Sequence, residues 1–142
     1  MAQNLSAFFK QNAKQIENQK IIVSDRFTGD DGKPMEWEIT CISANENQKI
    51  RKNSTRNKPI VGKRGQYTQE FDPAAYQAHL AAKCVVFPDL NDKELQNSYG
   101  AMDAEQLISA MLTPGEFDDL ILAITDLCGF KTEGELVDEA KN

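Results

Sequence analysis

The sequence predicts an α+β protein, mostly α, with an N-terminal β-hairpin packed on a bundle of four to five short helices. Polar and apolar residues alternate through residues 35–41, which is typical of a half-buried strand. Apolar residues recur every three or four positions through residues 117–128, which is typical of an amphipathic helix. Strands and helices do not alternate as a parallel sheet requires. With 142 residues, the chain suits a single globular domain, expected over residues 1–130.

The β-hairpin is predicted over residues 19–42. Residues 19–27 are rich in β-branched side chains, and residues 30–32 (DDG) are a turn signal, because glycine accepts the positive φ of a tight turn. Residues 35–41 would then place Trp37 on the apolar face of the second strand. A lone hairpin is only marginally stable in water, so this face is expected to lie on the helices.

Helices are predicted over residues 43–56 and within residues 72–129. The first opens with the capping-box spacing S-x-x-E at Ser43, and later helices begin with a cap residue followed by Pro73 or by Pro114. Gly129 is a typical helix end. The helical part therefore has sharper start and stop signals than the rest of the chain.

Residues 57–71 form a basic loop or an irregular extended arm in this prediction, since they contain Pro59, Gly62 and Gly65 and have no helical period. A connection of this length is usually functional or disordered. Residues 131–142 are polar and acidic and are predicted to be a flexible tail.

Charge is distributed unevenly along the chain. The net charge is −6, but residues 49–64 contain seven basic side chains and no acidic one. This basic stretch has three interpretations: internal charge balance in a solvated loop, binding to an acidic protein or a second copy, or binding to nucleic acid. Nucleic acid is disfavoured, because the acidic body repels phosphate and few aromatic residues interleave with the cations.

Sequence motifs point away from catalysis and membranes. There is no nucleotide-binding glycine loop and no zinc-protease or serine-hydrolase motif, so catalytic, cofactor-binding and metal sites are all predicted to be absent. Three cysteines without a closely spaced pair indicate core thiols, and His79 is expected to be structural or at the surface. No apolar run is long enough to span a membrane, and the N-terminus lacks the core of a signal peptide, so a cytoplasmic protein is expected.

Six stretches in series resemble one known family. They are residues 23–27 (VSDRF), 37–39 (WEI), 59–67 (PIVGKRGQY), 84–91 (CVVFPDLN), 95–100 (LQNSYG) and 111–116 (MLTPGE). In this order and spacing they resemble the XkdN-like phage tail assembly chaperones of contractile-tailed phages and defective prophages of Gram-positive bacteria. The resemblance covers residues 20–130.

The resemblance implies a non-enzymatic assembly factor in the bacterial host cell. Such a factor binds the tape-measure protein, keeps it soluble and helps to recruit tail-tube subunits, without cofactor or metal. Self-association remains open. The alternatives are a structural tail or connector protein that stays in the particle and, less favoured, a nucleic-acid-binding regulator.

Candidate protein contacts come from four places in the chain. Trp37 is either a core residue or an interface anchor, since tryptophan often dominates interface energy. One of Phe8 and Phe9 is also a candidate contact, because adjacent helical residues cannot both face one surface. The main candidate protein-binding residues are Trp37, Gly62, Lys63, Arg64, Gly65, Gln66, Tyr67, Phe117, Ile121 and Ile124.

Overall fold

A computed structural model describes residues 5–129 of the chain, and the predicted tail at residues 131–142 lies outside them. The elements are a 3₁₀ helix (Leu5–Phe8), β1 (Gln19–Ile21), β2 (Trp37–Ile39), α1 (Ala44–Lys52), β3 (Thr55–Pro59), β4 (Tyr67–Phe71), α2 (Pro73–Cys84), β5 (Val85–Phe87), α3 (Lys93–Ser98), α4 (Ala104–Met111) and α5 (Pro114–Cys128). The predicted α+β, mostly helical class is confirmed. Within this part of the chain, no helix is long and apolar enough to cross a membrane.

The N-terminal hairpin belongs to a three-stranded antiparallel sheet with the order β1-β2-β5. Its tight turn lies where the sequence indicates it, with Gly32 at φ 77° donating its N–H to the carbonyl of Gly29 (2.9 Å). The third strand was not predicted. Residues 85–87 follow α2 directly and are too few to show any alternation, so only pairing with β2 defines them as a strand.

The core lies between this sheet and the helices. Trp37 and Ile39 of β2 are almost fully buried, against apolar residues of α2, α4 and α5. α2 is the central helix and packs on α1, α4 and α5. The predicted stripe of α5 is confirmed by burial of Leu120 and Ile124. Each such side chain contributes about 1.5–3 kcal/mol through burial.

The predicted helix starts are present as capped N-termini. The side chains of Ser43, Asp72 and Thr113 accept hydrogen bonds from backbone N–H groups at the start of α1, α2 and α5. At α5 the box is reciprocal, since the carboxylate of Glu116 accepts the N–H of Thr113 (2.9 Å). Capping of this kind is worth about 1 kcal/mol per helix end.

A salt bridge joins the segment after β1 to the start of α5. The guanidinium of Arg26 donates through Nε to Glu116 (3.1 Å), through Nη2 to the same carboxylate, and through Nη2 to the carbonyl of Met111 (2.9 Å). This hydrogen bonding holds the pKa of Glu116 well below its usual range. Two stretches about ninety residues apart in sequence are thereby fastened together.

The structure corrects the prediction of an irregular loop over residues 57–71. β3 and β4 pair over five residues each, from Thr55 opposite Phe71 to Pro59 opposite Tyr67. α1 ends at Lys52, before β3 begins. Neither face of this hairpin is buried, so its strands show no apolar alternation that would reveal them in the sequence.

Candidate protein-binding site

The β3–β4 hairpin, residues 55–71, projects from the body, and we call it the arm. Ser54, just before β3, is buried and donates its hydroxyl to the carbonyl of Ile50 (2.6 Å). The carbonyl of Ser54 accepts the N–H of Asp72 (2.7 Å), so the two ends of the arm are fixed to each other at the body.

Aromatic contacts continue this attachment at the root of the arm. The rings of Phe71 and Tyr76 lie 5.8 Å apart, and the guanidinium of Arg51 lies 4.9 Å from the first ring centroid and 5.6 Å from the second. Burial raises the pKa of the Tyr76 hydroxyl, which donates to the side-chain oxygen of Asn47. The root is therefore held by aromatic and cation–π contacts with α1 and α2 as well as by the backbone.

Two successive turns form the tip of the arm, residues 60–66. The N–H of Lys63 donates to the carbonyl of Ile60 (3.1 Å), and the N–H of Gln66 donates to the carbonyl of Lys63 (3.3 Å). Gly62 and Gly65 are the third residues of these turns, with φ of 80° and 77°. A turn with positive φ at its third residue needs glycine there, which explains the G-K-R-G spacing. The spacing is thus a turn signature rather than a phosphate loop.

The outer part of the arm has no packing partner in the described structure. Val61 is 98% exposed and Tyr67 is 61% exposed. Within residues 5–129, Lys63 and Arg64 form no ion pair, whereas Arg56 reaches Glu70 across the strands (3.6 Å). The arm therefore presents apolar side chains and free cations together, an arrangement suited to an acidic protein surface with an apolar patch.

The other contact candidates fall in two groups. Trp37 and Ile124 are core residues, at 2% and 0% exposure, so burial removes both as surface contacts in this conformation. Phe117 and Ile121 are half-buried on α5. Ile121 lines a cleft with Arg51 and Tyr76, which places it beside the root of the arm but away from the tip.

An apolar pocket escaped sequence reasoning. It has a volume of about 190 Å³ and lies where the sheet meets α3 and α4. Its apolar lining comes from five separate segments, namely Phe27, Met35, Trp37, Phe87, Pro88, Leu95 and Met111, and Glu36 is its one charged lining residue. Trp37 lies in this lining. The single tryptophan was the only signal in the sequence, because the other lining residues meet only in the folded chain.

The cysteines and the histidine have structural surroundings. Burial, together with hydrogen bonding to the Cys128 thiol, raises the pKa of Cys41 to about 11, and burial raises that of Cys84 to about 12. Such thiols stay protonated and are poor nucleophiles. His79 Nδ1 contacts Glu105 (3.0 Å) at the surface between α2 and α4. No group of possible metal ligands is found among residues 5–129.

Comparison with known proteins identifies relatives of the whole chain. The chain is 26% identical to the phage-like element PBSX protein XkdN of Bacillus subtilis (strain 168) over 141 residues, which is 98% of this chain and 94% of that protein. It is 25% identical to the B. subtilis protein YqbN, over 96% of this chain and 91% of the relative. The crystal structure of the protein YqbN has the same fold, with a TM-score of 0.76 at 20% identity, over 92% of this chain and all of that one.

The family comparison spans almost the whole sequence. Residues 5–141 match the family described as Phage XkdN-like tail assembly chaperone protein. The chain therefore belongs to the XkdN-like family of phage tail assembly chaperones.

Proposed function

We propose that this chain is a non-enzymatic chaperone that binds the tape-measure protein of a phage tail in the host cytoplasm, keeps it soluble and helps to recruit tail-tube subunits. The observation that carries the proposal is the arm. Its outer half exposes Val61 and Tyr67 beside Lys63 and Arg64, two cations that form no ion pair within residues 5–129. A surface of this composition can bind another protein through apolar and charged contacts alone, without any reactive group.

Stability arguments support a partner at the arm. A two-stranded hairpin in water is only marginally stable by itself, and this one is packed on the body only at its root. Ordering the tip on a partner would bury Val61 and Tyr67 while the cations form the rim, and rim charges mainly raise the association rate. We therefore expect backbone amides of residues 60–66 to exchange rapidly in the free chain and to become protected in the complex.

Co-expression with the tape-measure protein of the same phage or prophage tests the proposal. The soluble fraction of the tape-measure protein should rise when this chain is present. Tyr67→Ala should weaken the complex by about tenfold or more, since interface tyrosines are frequent hot spots. Tyr99→Ala is the matched control, because Tyr99 is 40% exposed at the end of α3, outside the arm.

Charge-reversal variants test whether the cations of the arm contribute to binding. Lys63→Glu should lower the association rate several-fold, whereas Lys93→Glu on α3 should leave it unchanged. A tape-measure protein equally soluble with and without this chain would refute the chaperone role. If solubility rises but Tyr67→Ala and Lys63→Glu behave like their controls, the chaperone binds through another surface. A stoichiometric band of this chain in purified tails would favour a structural protein that stays in the particle.

A further inference from the structure

The arm is a two-stranded sheet, so each of its strands has one free edge. Within residues 5–129 no third strand pairs with either edge. The N–H of Ile60 donates to the carbonyl of Gln66 (3.1 Å), and the N–H of Asp72 donates to the carbonyl of Ser54 (2.7 Å), so both ends of the ladder are hydrogen-bonded pairs. Because hydrogen-bonded and non-hydrogen-bonded pairs alternate in an antiparallel ladder, these two bonds fix the direction of every backbone group between them.

The outward-facing backbone groups of β4 belong to Tyr67, Gln69 and Phe71. The ladder places these residues opposite the odd-numbered residues of β3, and the alternation makes these three pairs the non-hydrogen-bonded ones. Their N–H and C=O groups therefore point away from β3 and form a row of donors and acceptors along the free edge. Such a row is a template on which another strand can pair.

The two free edges of the arm differ in their chemistry. β3 contains the cations Arg56 and Lys58, and Pro59 has no N–H to offer at its outward-facing position. Lysine and proline on an edge strand are common means of preventing its pairing with another chain. β4 contains no proline and no cation, and its one charged residue, Glu70, lies 3.6 Å from Nε of Arg56 within the hairpin. The edge of β4 is therefore the one open to a further strand.

The sequence of β4 is complementary to a second copy of itself. Its five residues, YTQEF, have Gln69 at the centre and an aromatic residue two positions away on either side. In an antiparallel pair with Gln69 opposite Gln69, outward-facing positions meet, so the outward N–H and C=O groups of both strands are all paired. Thr68 of each copy then lies opposite Glu70 of the other, so no like charges are directly opposed, an arrangement that would be destabilising.

Aromatic side chains reinforce this register. Tyr67 of each copy lies opposite Phe71 of the other, and cross-strand aromatic pairs stabilise a sheet. The two side chains share one face of β4, because residues four apart in a strand point the same way, and they are 61% and 37% exposed. On this face Phe71 already contacts Tyr76 and Arg51, so Tyr67 of a second copy would extend an existing cluster. Pairing also converts two hairpins, each marginal by itself, into one larger sheet.

We infer that two copies of the chain pair through the free edges of β4, antiparallel about a two-fold axis at Gln69, and form a four-stranded sheet in the order β3-β4-β4-β3. The contact is isologous, and the blocked edge of β3 makes it close as a dimer rather than continue into a fibre. A contact of five residues from each strand buries little area, so the dimer is weak and concentration-dependent. Tyr67 also belongs to the surface proposed for the tape-measure protein, but the test uses this chain alone and does not depend on that proposal.

Sedimentation equilibrium of the full chain with matched proline variants tests the inference. Gln69→Pro removes an outward N–H from β4 without removing a bond of the β3–β4 ladder, since proline is tolerated where the N–H of an edge strand faces solvent. Two hydrogen bonds across the axis are lost, so the dimer should weaken by about tenfold or more. Asn57→Pro is the matched control, because Asn57 lies directly opposite Gln69 and points its N–H outward on the β3 edge. This variant should dimerise like the wild-type chain.

Charge variants at the axis test the register and do not depend on proline. Gln69→Glu places two carboxylates opposite each other, and Gln69→Lys does the same with two ammonium groups, so each variant alone should dimerise more weakly than the wild-type chain. An equal mixture of the two should form 1:1 heterodimers, because opposite charges then meet at the axis. Asn57→Glu and Asn57→Lys, on the other edge, should dimerise normally both alone and mixed.

Four results would overturn the inference. The first is a wild-type chain that stays monomeric at every attainable concentration, as it would if another part of the same chain covered the edge of β4. The second is dimerisation that Gln69→Pro leaves unchanged or that Asn57→Pro weakens equally. The third is a mixture of Gln69→Glu and Gln69→Lys that dimerises no better than either variant alone. The fourth is assembly that continues beyond the dimer.

Discussion

Arg26 and Arg64 both belong to stretches that resemble the tail assembly chaperone family, but their surroundings differ. Arg26 contacts Glu116 and the carbonyl of Met111, and its guanidinium lies 5.0 Å from the ring centroid of Phe27. Within residues 5–129, Arg64 has no carboxylate within ion-pair distance. One cation fastens the fold, and the other points into solvent from the tip of the arm.

The same contrast separates the six stretches as groups. Five of them supply buried residues or fold-fastening contacts, represented by Ser24, Trp37, Cys84, Gln96 and Met111. The stretch at residues 59–67 supplies none and is exposed apart from the half-buried Ile60. Packing within the fold accounts for five stretches, whereas residues 59–67 have no comparable packing within residues 5–129.

The largest expected effect tests whether the apolar stripe of α5 serves the core or a partner. Ile124→Ala removes a fully buried side chain and should lower the free energy of unfolding by about 2–5 kcal/mol. Leu122→Ala, two residues earlier and 53% exposed, should change it by less than about 0.5 kcal/mol. Urea denaturation followed by Trp37 emission measures both. A stable Ile124→Ala chain with weakened partner binding would instead show that Ile124 is a contact residue.

Two glycines with similar backbone angles give a matched second test. Gly62 in the arm has φ 80° and Gly100 after α3 has φ 68°, and an added Cβ would meet no atom within 4 Å at either site. Alanine therefore costs about 1–2 kcal/mol of backbone strain at both positions. At Gly100 the cost should appear in global unfolding, because the next residue, Ala101, is buried and bonded to Gln96. At Gly62 it should stay local, since the tip can change shape without opening the core.

Denaturation midpoints and amide exchange distinguish these outcomes. We expect a lower midpoint for Gly100→Ala, and for Gly62→Ala an unchanged midpoint with faster exchange at residues 60–66. An equal loss of global stability at both positions would show that the arm unfolds together with the core.

Whether the sequence predicted a given region of the fold depends on what that region packs against. The N-terminal hairpin, the helix caps and the stripe of α5 were predictable, because burial on one face leaves a period and caps leave a spacing. β3, β4 and β5 were not, since the first two bury neither face and the third has only three residues. The tip of the arm was identified as a candidate through its Gly62 and Gly65 spacing and its charge. The apolar pocket could not be identified, because its lining is assembled from five separate segments that meet only in the folded chain.

The smallest expected effect concerns the salt bridge between Arg26 and Glu116, and it should be seen as a dependence of folding stability on pH. Hydrogen bonding from Arg26 lowers the pKa of Glu116 below its ordinary value of 4.5, so the ionised carboxylate stabilises the folded state at neutral pH. That contribution is complete above the ordinary pKa and declines as the pH falls below about 4.5, where the unfolded chain takes up the proton first.

Glu116→Gln isolates this charge, because glutamine preserves the reciprocal cap with Thr113. We expect the variant to be less stable than the wild-type chain at pH 7 and the difference to shrink as the pH is lowered through 4. The difference should be small because the side chain of Arg26 is 48% exposed and solvent screens the pair. Urea midpoints of both chains measured from pH 7 to pH 3 provide the comparison, with Lys63→Glu as the arm control. A difference in stability between the wild-type chain and Glu116→Gln that is unchanged across this range would mean that the contact of Arg26 with Glu116 depends on shape rather than charge. The hydrogen bond from Arg26 to the carbonyl of Met111 would then be the contact that distinguishes Arg26 from Arg64.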